Sequence, residues 1–81
     1  MPSNKKRKIE FMQEVIVKTS YIKLSQLLKL VGIISSGHQA KQYLLKEKVM
    51  INNQIRTERG AKIYPNDIVI INNQKFIIKQ G

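Results

Sequence analysis

The apolar positions of this chain change their spacing at Val49, and that change fixes the class of fold. Before it, Leu24, Leu27, Leu28 and Val31 fall at i, i+3, i+4 and i+7, one face of a helix. After it, Val49 and Ile51 share a face of an alternating run. Ile68-Val69-Ile70-Ile71 and Lys75-Phe76-Ile77-Ile78-Lys79 then flank Asn72-Asn73-Gln74 as the arms of a hairpin. A helical half followed by a strand half predicts an α+β fold with two short helices packed on a small antiparallel sheet.

Gly32 stands where a helix commonly ends in a left-handed cap. The short apolar link Ile33-Ile34 leads to a second helix opened by Ser35-Ser36, where Ser36 and Gln39 fit a capping box. Ala40, Tyr43 and Leu44 supply its buried stripe with Leu45 beside it. His38, Gln42 and Lys46 point the other way, and Lys41 lies at the edge. The two helices form a helix-turn-helix-like corner. Asn52-Asn53 turns the chain, because asparagine tolerates positive φ. Ile55 and Ile63 read as apolar strand positions on either side of a polar, basic connection. Pro65-Asn66-Asp67 reads as a β-turn in which proline sets φ. The β-branched run Glu14-Val15-Ile16-Val17-Lys18 predicts one further short strand ahead of the helices.

The 81 residues allow one domain. Residues 1–9, with Lys5-Lys6-Arg7-Lys8, read as a flexible basic arm, and residues 10–81 as the single folded unit. The run 68–71 is too short to span a bilayer, and the basic start is not followed by a long apolar region. The cytoplasm is therefore the expected location, with no membrane partner. Fifteen Lys and Arg against five Asp and Glu give a net charge of +10. So much positive charge costs self-repulsion in a small fold and points to a polyanionic partner.

An enzyme's constellation of residues is missing from the sequence. His38 is the single histidine and there is no cysteine, so neither a metal site nor any other cofactor is expected. The acids are scattered singly, without a pair for acid–base work. Ser36 and His38, two residues apart at a helix start, point different ways with no glycine-rich nucleophile elbow around them, and capping accounts for Ser36. A small-molecule substrate is not expected either.

In its order of features the chain resembles the S-four RNA-binding domain, also called the alpha-L motif. That family runs Arg-Leu-Asp before a Leu-rich helix, a Gly, then Ser-Arg and Ala-Arg at a second helix. A Gly-x-Val-x-Val-Asn-Gly turn and a Pro-Gly-Asp turn follow. Here Lys23-Leu24-Ser25, Gly32, Ser36-Gly37, Ala40-Lys41, Val49-Met50-Ile51-Asn52-Asn53 and Pro65-Asn66-Asp67 stand at those places. The match covers residues 22–71 and is most similar to small stand-alone bacterial members of the YaaA and YbcJ type. Ser25, Gly37, Lys48 and Asn53 depart from the pattern. Lys48 held left-handed would cost about 1 kcal/mol or more unless the turn is remodelled.

The resemblance implies non-enzymatic binding of structured RNA, above all ribosomal RNA, in association with ribosomal particles or their assembly. Lys23, Lys41 and Lys48 are then expected on phosphates. The helix start at Ser36 and Gly37 is an expected anion seat, and His38 and Gln39 are expected donors. Arg56, Arg59 and Lys62 extend the footprint along the strands. Tyr21, Tyr43, Tyr64, Phe11 and Phe76 read as core or edge residues, which disfavours recognition by stacking. Two other classes stay open on the residues. One is a protein-interaction adaptor with a basic face. The other is a duplex-DNA binder, although the second helix shows no row of base-reading Arg or Asn.

Overall fold

The computed structural model describes residues 12–81. The expected basic arm of residues 1–9 and Phe11 lie outside them. The chain runs β1 (Met12–Val17), β2 (Ile22–Lys23), α1 (Leu24–Leu30), a 3-10 turn (Gly37–Gln39) and α2 (Ala40–Lys46). It continues as β3 (Val49–Ile51), β4 (Gln54–Arg56), β5 (Lys62–Ile63), β6 (Ile68–Ile71) and β7 (Gln74–Gln80). Five strands form one sheet in the order β1-β7-β6-β3-β4, and β2 pairs with β5 as a separate ribbon. The α+β architecture is the one the spacing predicts. The sheet is mixed rather than wholly antiparallel, because β1 lies parallel to β7 at one edge, Met12 opposite Lys75 and Val17 opposite Gln80. Short-range pattern does not reveal a pairing between the two ends of a chain.

Asparagine makes the tight turns possible. Asn52 and Asn53 (φ 52° and 68°) and Asn72 and Asn73 (φ 54° and 65°) each place two consecutive residues in the left-handed region. That is the backbone of a type I′ hairpin turn, whose twist matches its strands. Asn53 thus does the work of the family's glycine. Pro65 and Asn66 form a type II turn, with Asn66 at φ 79° and the Asp67 N–H donating to the Tyr64 carbonyl at 3.0 Å. Lys48 is not among the residues of positive φ, so the expected strain there does not arise.

Helix α1 ends as Gly32 predicts. At φ +82° the Gly32 N–H donates to the Lys29 carbonyl and the Ile33 N–H to the Leu28 carbonyl, both at 3.0 Å. This pair of bonds is a Schellman motif. Leu24, Leu27 and Leu28 are wholly buried against Val49, Ile63, Val69, Ile71, Phe76 and Ile78. Each such side chain contributes roughly 1.5–3 kcal/mol of transfer free energy, which a helix of seven residues needs in order to persist. From α2, Ala40 and Leu44 join this core and Tyr43 is half-buried. Leu45 does not extend the stripe, being 78% exposed. Ile55 does not serve the core either, being 53% exposed on edge strand β4. The cross-strand register explains Ile55. It stands opposite Met50, on the face away from Val49 and Ile51.

Candidate nucleic-acid interface

The β2–β5 ribbon positions the most distinctive charges. Its register sets Ile22 opposite Ile63 and Lys23 opposite Lys62. Successive strand residues face opposite ways. The isoleucines are buried, and the lysines are therefore exposed as a like-charged pair. Like charges directly opposite each other are unfavourable unless an anion lies between or near them.

Arg59 is brought to the same place by the start of α1. Its first N–H groups have no partner inside the helix. The Leu24 N–H donates to the Ala61 carbonyl at 2.8 Å, and the Ser25 N–H to the Arg59 carbonyl at 2.9 Å. The Lys23 N–H donates to Gln26 Oε1 at 2.9 Å. The loop before β5 thereby caps α1 and ties the backbone at Arg59 to the turn of α1 that begins beside Lys23. Lys23, Arg59 and Lys62 all stand out in the sequence, but only the fold joins their backbones. Arg56 is close by, sharing an open depression with Gly60, Lys62 and Tyr64. Its guanidinium is held by Glu58 at 3.1 Å. Among the described residues that is the one ion pair, so Lys23, Arg59 and Lys62 carry charge with no acidic partner there.

The second predicted seat opens as a 3-10 turn rather than as a regular helix. Ser36 is its N-cap in extended backbone (φ −148°, ψ 154°). Gln39 Oε1 accepts from the Ser35 N–H at 2.7 Å, the Ser36 N–H at 3.3 Å and the Ser35 hydroxyl at 3.0 Å. The Gln39 carbonyl is thus committed to closing the turn, which leaves only its amide nitrogen for a ligand. Gly37 is half-buried, and a Cβ built on it would meet nothing within 4 Å. Its side therefore gives a ligand room for close approach. His38 and Lys41 are exposed. The turn packs against α1, whose N-terminus carries Lys23. Lys48 lies elsewhere, in a depression with Lys46, Met50, Ile70, Asn72 and Asn73, so the fold does not gather it with the others.

Of the aromatics read as core or edge, Tyr21 and Tyr64 lie outside the core. Tyr64 is 49% exposed. Its ring pairs with that of Tyr21, centroids 5.8 Å apart and planes at 54°. Lys62 Nζ lies 5.0 Å from the Tyr21 ring centre. The signal in the sequence was the alternation Tyr21-Ile22-Lys23 and Lys62-Ile63-Tyr64, which puts both tyrosines on the lysines' face. The hydroxyl of half-buried Tyr43 is pushed up from its ordinary pKa by burial first and by Glu47 second. Among the described residues no group of three or more His, Cys, Asp or Glu is placed to hold a metal. No helix among them is long and apolar enough to cross a membrane.

The sequence profile of the S4 domain matches residues 15–79. A protein of Bacillus subtilis (strain 168) named probable ribosome maturation protein RlbA is 39% identical over 57 residues, which is 70% of this chain and 80% of that protein.

Proposed function

The chain belongs to the S4 domain family, and from that premise we propose that it binds structured RNA, ribosomal RNA in the first place, as a non-enzymatic factor in ribosome maturation. The observation that carries this reading is the ribbon. Two lysines from distant parts of the sequence are held opposite each other, next to the loop that carries Arg59, and among the described residues neither lysine is in an ion pair. A fold that accepts such repulsion gains when a phosphate backbone supplies the missing negative charge. The relative's name adds the ribosomal context, and a cytoplasmic setting goes with it.

Lys23, Arg59 and Lys62 then hold one stretch of backbone, with Arg56 at its margin. Ser36, Gly37, His38, Gln39 and Lys41 hold a second, reached across α1. Lys48 is an outlying contact. Residues 10–81 act as one RNA-binding unit. Folded RNA offers phosphates and 2′-hydroxyls in a fixed shape, and two short basic rows on a rigid scaffold can read that shape without reading sequence.

Competition binding tests this reading. Fluorescently labelled folded ribosomal RNA is challenged with unlabelled duplex RNA and with duplex DNA at the same salt. Folded ribosomal RNA should compete best and duplex DNA worst. Equal competition by DNA would replace the RNA reading with general polyanion binding. Absence of binding to every nucleic acid would favour a protein adaptor. In cells, crosslinking and sequencing should recover ribosomal RNA, and the protein should sediment with ribosomal particles.

A further inference from the structure

We infer that the outer face of the β2–β5 ribbon seats one unpaired RNA nucleotide, its base stacked on Tyr64 and its neighbouring phosphates held by Lys62 and Lys23. The inference rests on the RNA-binding reading and adds a specificity to it.

Four side chains form the face. Tyr21 and Tyr64 meet at 5.8 Å between ring centres at one end, and Lys23 stands opposite Lys62 at the next register position. The lysine ammonium lies 5.0 Å from the Tyr21 ring centre, so that ring already has a cation over it. Among the described residues no cation lies over Tyr64, which is 49% exposed. Its backbone is fixed from both sides. The Tyr64 N–H donates to Asp67 Oδ2 at 2.8 Å, and its carbonyl accepts the Asp67 N–H at 3.0 Å. Asp67 is held in turn by Asn52 Nδ2, at 3.0 Å from Asp67 Oδ1. A ring on so fixed a backbone loses little further freedom on binding. Beside it lies the open depression that Arg56, Glu58, Gly60 and Lys62 help to line. A Cβ built on Gly60 would meet nothing within 4 Å, so the loop leaves space for a ligand.

A π-face beside two cations that form no ion pair among the described residues selects a ligand with the complementary pair of groups one unit apart. A nucleotide has them, as base and phosphate. Within a duplex both faces of a base are already stacked. Only a bulged, looped or single-stranded nucleotide brings a free face to Tyr64 while its phosphates stay in reach of the lysines.

The test uses the full chain and three RNA duplexes of the same sequence. One is fully paired, one carries a single unpaired adenosine at its centre, and one carries an abasic unit at that position. The wild-type protein should bind the bulged adenosine duplex about tenfold more tightly than the other two, a size typical of one base–aromatic stack. Tyr64→Ala should bind all three alike, at the wild-type affinity for the paired duplex. Tyr64→Phe should keep the preference, since the ring and not the hydroxyl carries it, and this shows that the site survives substitution. Lys23→Ala should weaken all three. Equal wild-type affinity for the three duplexes, or a preference that survives in Tyr64→Ala, overturns the stacking inference and leaves RNA binding in place. Absence of binding to all three and to folded ribosomal RNA overturns both.

Discussion

Replacing Lys23 with glutamine should stabilise the free protein and weaken RNA binding in the same variant. The side chain is exposed, stands opposite Lys62 and sits at the N-cap of α1. Relief of a cross-strand like-charge pair is worth about 0.2–1 kcal/mol. Removal of a cation from the positive end of a helix is worth about 0.3–1 kcal/mol. Both groups are solvent-screened, so the lower ends apply and the gain is about 0.5 kcal/mol at low salt. For a domain of this size that raises Tm by roughly 2–4 °C. The Lys23 N–H keeps its bond to Gln26, and the Lys62–Tyr21 contact is untouched. On the binding side, one lost phosphate contact lowers the slope of log K against log salt by about 0.7–0.9, or about 5–8-fold in affinity at 0.1 M salt. Thermal melts by circular dichroism at low and high salt, with fluorescence anisotropy on a structured RNA, measure both. The gain in Tm should shrink in high salt while the RNA slope stays reduced. A lower Tm at low salt, or an unchanged salt slope, would refute the reasoning that the ribbon is an electrostatically frustrated phosphate site.

The two positions of one turn should behave differently. Asn52→Gly loses the bonds of Asn52 to the Ile68 N–H and to Asp67, both at 3.0 Å, and should cost about 1–2 kcal/mol. Asn53→Gly keeps the positive φ and should be nearly neutral; urea midpoints decide, and equal shifts would sink the assignment. Phe76→Ala empties the largest fully buried side chain and should cost about 3–5 kcal/mol. That is close to the whole stability of so small a core, so a cooperative urea transition surviving at 25 °C would contradict it. The raised Tyr43 pKa means that the folded state holds that proton more tightly than the unfolded state does. Its contribution is therefore full below the ordinary tyrosine pKa of about 10 and is lost as pH rises through the raised value. Tyr43→Phe should reduce the alkaline loss of stability in urea melts between about pH 9 and 11, and an identical alkaline profile in the two proteins would refute the assignment.

Several elements and turns were legible from local sequence, although the β2–β5 ribbon and the 3-10 turn at Gly37 were not. The leucine spacing of α1, the left-handed cap at Gly32, the asparagine turns and the proline turn are each settled within a few residues, because dihedral preference and side-chain period act locally. Which side chains become neighbours follows from the long-range pairing of the folded chain. Strand pairing joins β1 to β7 and sends Ile55 outward, and the packing of α2 leaves Leu45 uncovered, since burial depends on what packs against a face and not on the residue's own hydropathy. Pairing also sets Lys23 against Lys62 and puts Tyr21 and Tyr64 on the same face as those lysines. Lys48, by the same long-range geometry, falls in a separate depression. Register between distant segments is fixed by the whole core, and no window of sequence around either lysine contains it.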